Sequence, residues 1–183
     1  MSRNPVNQVA TLGGGCFWCL ESAFAQVEGI IQAESGYAGG HVANPTYQDI
    51  CTGESGHAEV VRLTYDPQLI NYRDILEIYF SLHDPTQLDR QGNDIGPQYR
   101  SVIFFHNDEQ CNQAASIIAE MSADNTWPEP VVTAVEEVSN YYPAEAYHRS
   151  YYENNSQQPY CAMVVGPKLA KFKQNFANRL KSS

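Results

Sequence analysis

The sequence predicts an α+β fold, a two-layer sandwich with a ferredoxin-like (split βαβ) core plus C-terminal helical additions. The first observation is the order of apolar segments, whose strand-like and helix-like spacings alternate as β-α-β-β-α-β. The second is composition: 183 residues, 43% hydrophobic and 17% charged, suit a globular protein with one sizeable core. The third is the lack of repeats or a linker, so we expect one domain over residues 1–183, with its core over about residues 8–165.

Five elements are predicted in the first third of the chain. Phe17, Leu20 and Phe24 recur at helical spacing after an apolar run, which places a helix directly after a strand. Gly36 interrupts the next apolar run, and we expect that strand to end there. The predicted elements are a strand over residues 8–12, a helix over residues 17–27, a strand over residues 30–35, one helical turn near residues 47–51 and a strand over residues 59–65.

The later elements follow from capping residues and further apolar runs. Asn71 can cap a helix that runs to His83, and Pro167 suits the first turn of the final helix. Residues 84–100 are polar and interrupted by Gly and Pro, and a loop of that length is usually functional or disordered. The elements after it are a strand over residues 101–106, a helix over 108–122, a strand over 131–138, a helix over 143–154, an extended segment over 160–165 and a helix over 167–180.

Charge and cysteine content narrow the classes of function. The formal net charge is −10, and basic residues crowd the C-terminal end, where no acidic residue follows Glu153. Such an acidic chain is not expected to bind nucleic acid, and its basic end is interpreted as a solvated final helix. The apolar runs are too short for a signal peptide or a membrane span, so we expect neither. Five cysteines, an odd number, favour a reducing, cytoplasmic setting over a disulfide framework.

Residues 13–21, Gly-Gly-Gly-Cys-Phe-Trp-Cys-Leu-Glu, are the most informative segment for chemistry. Cys16 lies where the first predicted strand turns into the first predicted helix. Unpaired backbone N–H groups and the helix dipole favour an anion there, so we expect this thiol to lose its proton more readily and to act as a nucleophile. Phe17 and Trp18 add aromatic surface beside the sulfur. The segment therefore predicts a reactive cysteine with an apolar wall for a ligand.

Cys16 and Cys19 form a CxxC pattern that has three interpretations. It could be a dithiol–disulfide pair, although the cis-proline strand of thioredoxin-like chains is not identifiable. It could be half of a zinc site, but no second Cys/His pair has matching spacing, so we expect no metal. It could contain a single nucleophile, Cys16, which then needs an acid nearby.

Four polar residues are candidates for the groups beside this nucleophile. Glu59 opens a predicted strand and is followed by two valines, so desolvation could raise its pKa and let it donate a proton near neutral pH. An exposed strand end is the alternative. Asp94 and Tyr99, in the long polar loop, have the same ambiguity. Tyr37 lies among glycines and is expected outside the deep core, where its hydroxyl faces a ligand or packs at the surface.

Five motifs in register resemble the peptide methionine sulfoxide reductase A family, over about residues 8–165. Each motif alone is weak, but their shared order and spacing are highly specific. The motifs are Gly15-Cys-Phe-Trp18, Gly36-Tyr-Ala-Gly-Gly40, Gly56-His-Ala-Glu59, His83-Asp-Pro85 and Gln91-Gly-Asn-Asp-Ile-Gly-Pro-Gln-Tyr-Arg100.

The resemblance implies reduction of methionine (S)-sulfoxide, free or in proteins, and hence the repair of oxidised proteins. Cys16 matches the family's nucleophile, which is left as a sulfenic acid, and Glu59 matches the acid that protonates the sulfoxide oxygen. The other implied site residues are Phe17 and Trp18 for the substrate's methyl group, Tyr37 and Tyr99 for hydrogen bonds to the oxygen, and Asp94 as a further polar group.

The second thiol is where the chain departs from the family's pattern. Cys19 stands where many members carry glycine, and the Gly-rich, cysteine-bearing end of many members is missing. Cys161, in Gln158-Pro-Tyr-Cys161, matches the first resolving cysteine, so we expect it to form a disulfide with Cys16 that thioredoxin then reduces. Cys19 is its rival, and direct reduction by an external thiol is a third route.

The remaining candidates are interpreted as structural. Cys111 shares a predicted helical face with Ala114 and Ile118 and is expected in the core, and Cys51 is also interpreted as structural. His148 lies in a tyrosine-rich segment and is expected to pack or to form a hydrogen bond, not to act as a base. We expect a monomer that requires no cofactor.

Overall fold

A computed structural model gives the fold of residues 6–181, so residues 1–5 and 182–183 of the predicted domain lie outside the described residues. The strands in this part of the chain are β1 (Gln8–Gly13), β2 (Ile30–Ala38), β3 (Ala58–Tyr65), β4 (Arg90–Gln91), β5 (Asp94–Ile95), β6 (Val102–Phe105), β7 (Ala134–Glu137) and β8 (Tyr142–Pro143). Its α-helices are α1 (Phe17–Ala25), α2 (Tyr47–Cys51), α3 (Tyr72–Ser81), α4 (Asp108–Ala123), α5 (Tyr151–Asn155) and α6 (Gly166–Asn175). Short 3-10 turns cover Pro97–Tyr99, Ala146–His148 and Ala177–Arg179, and a π-helical turn covers Cys161–Val165.

The main sheet has six strands in the order β7-β6-β1-β3-β2-β8. Its four inner strands, β6-β1-β3-β2, are antiparallel to one another. Helix α1 joins β1 to β2 and helix α3 lies between β3 and β6, which confirms the predicted split βαβ core. Strand β7 adds parallel to β6, and strand β8 adds antiparallel to β2. Strands β4 and β5 form a separate hairpin inside the long polar loop.

The main core lies between this sheet and the helices. Leu12 and Leu63 of the sheet are fully buried in one cluster with Leu20 of α1, Ile75 of α3 and Leu169 of α6. The helices bury these residues because apolar side chains recur three and four positions apart. The arrangement confirms the predicted two layers, and the C-terminal helix packs onto them through Leu169. No helix within residues 6–181 is long and apolar enough to cross a membrane.

Helix α3 begins where its capping residue predicts. The Asn71 side chain accepts a hydrogen bond from the Asp74 backbone N–H at 2.8 Å, and the Asp74 carboxylate accepts one from the Asn71 N–H. This reciprocal pair satisfies two backbone donors that the first helical turn leaves free. It fixes the start of the helix that carries Tyr79.

Tyr79 and His83 contact the loop between β1 and α1 and hold its backbone in place. The Tyr79 hydroxyl donates to the Gly13 carbonyl at 2.6 Å and lies 3.1 Å from the Ser101 hydroxyl. The His83 ring lies directly against Gly14, where a Cβ atom would come within 2.9 Å of ring atoms. Helix α3 therefore holds the backbone that leads into Cys16.

Two predictions about the middle strands and the C-terminal segment are wrong. Strand β2 does not end at Gly36 but continues to Ala38, because β3 pairs with it through this stretch, with Gly36 opposite Val60. Residues 160–165 are not extended but helical: Tyr160 precedes the π-helical turn over Cys161–Val165, which buries Cys161 and Val165 and leaves Met163 exposed. A short apolar run fits a strand and a buried helical turn equally well, and here packing beside α6 decides.

Two predicted helices also differ from the observed ones. Residues 143–154 are divided among the end of β8, a 3-10 turn and the five-residue helix α5. Ser150 interrupts the segment with a left-handed backbone (φ +53°), which a continuous helix cannot contain. The last helix ends at Asn175, and the 3-10 turn over Ala177–Arg179 follows it.

The hydroxyl of Tyr79 should be important for stability. Tyr79→Phe removes the donor to the buried Gly13 carbonyl, so we expect the free energy of unfolding to fall by about 1–3 kcal/mol. Urea denaturation measures this change. Tyr65→Phe is the matched control, because its hydroxyl bonds to the exposed side chain of Gln8, and we expect a loss below about 1 kcal/mol. Equal losses in the two variants would contradict the assigned support of the loop.

Candidate active site

Cys16 lies at the N-cap of α1, at the end of the glycine loop. Gly15 has φ +83°, a backbone conformation that favours glycine, and its N–H donates to the Tyr99 carbonyl at 3.2 Å. The Cys19 N–H donates to the Cys16 carbonyl at 3.2 Å, which closes the first turn of the helix. Cys16 is only 8% exposed. The strand–loop–helix placement of this thiol is as the sequence predicts.

The protonation of Cys16 differs from the prediction. Burial raises the pKa of the Cys16 thiol well above its ordinary value, and the neighbouring Glu59 and Cys19 raise it further. The Trp18 backbone N–H and the Tyr160 hydroxyl act in the opposite direction, but they are outweighed. The expectation of a more acidic thiol is therefore wrong for this closed site, because desolvation exceeds the effect of the helix start.

Glu59 provides a buried carboxyl beside this thiol. It lies in β3 opposite Tyr37 of β2, is 2% exposed, and accepts a hydrogen bond from the Phe17 backbone N–H at 3.1 Å. Burial raises the pKa of the Glu59 carboxyl to about 8, the Phe17 N–H lowers it in part, and nearby Asp94 raises it. The carboxyl is therefore protonated at neutral pH and can donate a proton.

Tyr160 closes the site next to Asp94, and its role is not evident from the sequence. Its hydroxyl donates to the Asp94 carboxylate at 2.5 Å, and its ring meets the Trp18 ring edge-on at 5.9 Å between centroids. The β4–β5 hairpin places Asp94 here. Tyr99, half-buried in the turn after the hairpin, has a raised hydroxyl pKa because of burial and because Glu59, Asp94 and Cys16 are near. In the sequence, the one signal for the role of Tyr160 is its position directly before Cys161.

Tyr37 is deeply buried, contrary to the prediction. Its side chain is 0% exposed, its ring lies 5.7 Å from that of Phe17, and its hydroxyl donates to the Glu145 carboxylate at 2.9 Å. Glu145 also accepts the Tyr47 backbone N–H at 2.8 Å. The buried position follows from the continuation of β2, which turns this residue inward. Glu145 was missed because nothing near it in sequence marks a site.

Phe17 and Trp18 form the aromatic wall that the sequence predicts. Phe17 is fully buried in a cluster with Tyr37 and Ile50, and Trp18 packs against this cluster at its edge. Tyr151 of α5 stacks on the Trp18 ring, with centroids 3.8 Å apart and planes 8° apart. The wall therefore combines the start of α1 with residues of the C-terminal segment.

The other cysteines are free and differ in exposure. Cys19 and Cys161 are buried, at 4% and 0% exposure, and burial raises the pKa of Cys19 to about 11. Lys168 and Cys161 lie near Cys19, where Lys168 lowers its pKa and Cys161 raises it. Cys111 is only partly buried, so it lies at the edge of the core and not inside it as predicted. Cys51 is exposed at the end of α2 and contributes nothing to the core. Within residues 6–181, no group of three or more His, Cys, Asp or Glu side chains is arranged to hold a metal ion.

A buried thiol at a helix start, a protonated carboxyl beside it and an aromatic wall define the site of a thiol-dependent oxidoreductase. The chain matches the family model described as peptide methionine sulfoxide reductase over residues 8–180. It is 50% identical to the peptide methionine sulfoxide reductase MsrA of Polynucleobacter asymbioticus, covering 94% of this chain and 90% of that protein. It is 49% identical to the enzyme of the same name from Saccharolobus solfataricus, covering 95% and 97%. The chain belongs to the peptide methionine sulfoxide reductase family.

Solved structures show the same relationship. The crystal structure of reduced Mxr1 from Saccharomyces cerevisiae aligns with a TM-score of 0.79 and 33% identity, covering 85% of this chain and 89% of that one. Mxr1 in complex with Trx2 aligns with a TM-score of 0.57 and 26% identity, covering 82% and 89%. The fold that carries the site is therefore shared with Mxr1.

Glu59 should make stability depend on pH. Its carboxyl binds the proton more tightly in the folded chain, where its pKa is about 8, than in the unfolded chain, where it is about 4.3. This stabilisation is complete below about pH 4 and is lost as the pH rises through about 8. Glu59→Gln cannot ionise, so its free energy of unfolding relative to wild type should rise by up to about 1.4 kcal/mol per pH unit between those values.

Urea denaturation at three pH values between 5 and 8 measures this difference. Glu54→Gln is the matched control, because Glu54 is exposed and its substitution should leave the pH profile parallel to that of wild type. A Glu59→Gln profile that also runs parallel to wild type would contradict the raised pKa.

Proposed function

We propose that this chain reduces methionine (S)-sulfoxide, free or in proteins, to methionine and so repairs oxidised proteins. The observation that carries the proposal is the buried Glu59 carboxyl, which accepts the Phe17 N–H in the turn directly after Cys16 and whose pKa burial raises to about 8. A sulfoxide oxygen is a poor leaving group until it is protonated, and a soft sulfur nucleophile suits attack on sulfur. Family membership supports the same reaction.

In the first step the sulfur of Cys16 attacks the sulfoxide sulfur while Glu59 protonates its oxygen. This attack forms a bond between the two sulfurs. The oxygen then transfers to the Cys16 sulfur, so the substrate's sulfur–oxygen bond and the new sulfur–sulfur bond both break and methionine leaves. The thiol proton of Cys16 restores the acid. The substrate sulfur is reduced by two electrons and Cys16 is oxidised to the sulfenic acid.

The remaining predicted residues surround the reacting atoms. We assign the substrate's methyl group to the wall of Phe17 and Trp18. We assign to Tyr37 and Tyr99 the hydrogen bonds that the sulfoxide oxygen accepts. The Tyr37 hydroxyl donates its one proton to Glu145 here, so it must turn from Glu145 to donate to the substrate oxygen. Asp94 holds the Tyr160 hydroxyl at the mouth of the site. A bound substrate takes the place of Tyr160 in this arrangement.

Cys161 is our assigned resolving cysteine. Its thiol condenses with the sulfenic acid of Cys16, which forms a disulfide and releases water. Cys161 directly follows Tyr160, whose hydroxyl lies near the Cys16 sulfur and lowers its pKa. When Tyr160 leaves the site, the segment that carries Cys161 moves with it. Full burial of Cys161 means that the π-helical turn must unwind first. Cys19, one turn after Cys16 in α1, is the rival.

Thioredoxin is the reductant that we propose for this disulfide. A dithiol reduces a protein disulfide by attack on one sulfur and release of the other. The yeast relative Mxr1 has been crystallised in complex with Trx2, which supports this partner. We further propose that the chain works as a monomer in the cytoplasm, where thiols are kept reduced.

An assay with separated epimers tests the activity. With dithiothreitol as reductant, the chain should consume methionine (S)-sulfoxide and leave the R epimer unchanged. Glu59→Gln should slow methionine release in a single turnover by about two to four orders of magnitude, because it keeps the side chain's shape but has no proton to donate. Persistence of the S epimer would contradict the reductase, and reduction of insulin disulfides instead would indicate a general dithiol oxidoreductase. Binding of the S epimer without turnover would indicate a recognition domain.

Two cysteine variants test the route of regeneration. Cys161→Ser should still release about one methionine per chain, since the first step needs only Cys16, and should then stall with thioredoxin because no disulfide forms. Dithiothreitol should restore turnover by reaching the sulfenic acid directly. Cys19→Ser is the matched control and should cycle with thioredoxin at nearly the wild-type rate. The reverse pattern would assign resolution to Cys19.

A further inference from the structure

Gln91 is a buried side chain in the hairpin of β4 and β5, and the reaction proposed above assigns it no role. It is 8% exposed, whereas residues 92–93 at the turn and Ile95 in the second strand are exposed. Its neighbour across the hairpin is Asp94, whose carboxylate accepts the Tyr160 hydroxyl. A buried amide therefore lies directly opposite the acid that binds Tyr160.

The Gln91 amide makes two hydrogen bonds to one backbone position outside the hairpin. Its Oε1 atom accepts the Asp84 backbone N–H at 2.7 Å, and its Nε2 atom donates to the Asp84 carbonyl at 3.0 Å. Asp84 is fixed in turn, because its carboxylate accepts both the backbone N–H and the hydroxyl of Thr86, at 2.9 and 2.6 Å. It also directly follows His83, whose ring lies against Gly14. The amide therefore joins the hairpin to the segment that holds the glycine loop.

The aliphatic part of the Gln91 side chain lies against Gly15, the residue before Cys16. A Cβ atom at Gly15 would come within 2.9 Å of the Gln91 Cγ atom, so the contact needs a glycine there. The Gly15 N–H also donates to the carbonyl of Tyr99, which follows the hairpin in the chain. Gln91 is thus a side chain through which the hairpin contacts the backbone next to the nucleophile.

The hairpin needs such attachments because it is small. It has two residues in each strand and forms a sheet of its own, separate from the six-stranded sheet. A two-stranded hairpin by itself is at best marginally stable in water. A further bond, from the Gly92 N–H to the Gln87 side chain at 2.7 Å, lies at the exposed turn. The position of Asp94 therefore depends on the buried contacts of Gln91.

We infer that Gln91 is a positioning residue that holds Asp94 where it binds Tyr160 over Cys16. The Tyr160 hydroxyl lies near the Cys16 sulfur, and Cys16 is only 8% exposed. Gln91 thereby keeps the thiol covered until a ligand displaces Tyr160. It acts through Asp94 and contacts none of the reacting atoms. The inference concerns the covered thiol and does not depend on the substrate that the site accepts.

The rate at which iodoacetamide alkylates Cys16 tests this role, because the reagent reaches the sulfur only when the contact between Asp94 and Tyr160 opens. Gln91→Met keeps the length of the side chain but removes both bonds to the Asp84 backbone. It should raise the alkylation rate at least about tenfold, since two buried hydrogen bonds that favour the closed position are lost. Peptide mapping by mass spectrometry separates Cys16 from the other four cysteines.

A Tyr160→Phe background separates positioning from a general loosening of the fold. Without its hydroxyl the side chain cannot bind Asp94, so Gln91→Met should change the alkylation rate there by less than about twofold. Alkylation of the urea-unfolded chain gives the upper limit of the rate, and the rate of Tyr160→Phe should lie below it. Gln113→Met is the matched control, because its amide bonds to a neighbouring side chain on the exposed surface of α4, and it should leave the rate at Cys16 unchanged.

Three outcomes would overturn the inference. An unchanged rate in Gln91→Met would show that other contacts hold the hairpin. An equal rise in both backgrounds would show that the substitution loosens the fold and does not act through Asp94. If Gln91→Met does not fold, amide hydrogen exchange of the wild type decides. The Asp84 N–H should then exchange at least about a hundredfold more slowly than in an unfolded chain. Exchange at the unfolded rate would show that Gln91 does not hold it.

Discussion

The hydrogen bond between the Phe17 N–H and the Glu59 carboxyl is the interaction on which the rest of the site depends. It joins strand β3, near the centre of the sheet, to the first turn of α1, with 3.1 Å between the Phe17 nitrogen and the Glu59 oxygen. The carboxyl therefore lies beside the Cys16 thiol. Burial then determines the protonation state of both groups. Desolvation raises both pKa values, so in the closed site Cys16 is a thiol and Glu59 a carboxylic acid.

A second constraint is that one segment both covers Cys16 and carries Cys161, the thiol that we propose as the resolving cysteine. Tyr160 bonds to Asp94 over Cys16, and Cys161 follows directly in a buried π-helical turn. The same region contributes Tyr151, which stacks on Trp18, and Glu145, which holds the Tyr37 hydroxyl. The ferredoxin-like core thus carries the groups that we propose to react, and residues of the C-terminal additions pack over them.

The sequence was most informative where local rules and the chemistry of single residues coincide. Asn71 caps α3 because an Asn followed three residues later by an Asp can satisfy two free backbone donors, and both bonds are present. Cys16 lies at a helix start because an apolar run, three glycines and a helical pattern succeed one another. The family motifs predicted that Glu59, Asp94 and Tyr99 lie in one site. The structure has them near one another, although they lie on a strand, a hairpin and a turn.

The sequence alone determined the order of the core elements and the placement of Cys16, since spacing and turn-forming residues act over a few positions. Its resemblance to the family, and not spacing, predicted the residues of the site. Only the tertiary structure decided the burial of Tyr37, the π-helical turn at Cys161 and the contacts of Tyr160, Glu145 and His148. These depend on partners between 66 and 130 residues away in the chain. The pKa of Cys16 belongs to this second group, because a helix start favours a thiolate locally and only burial by distant residues reverses the outcome.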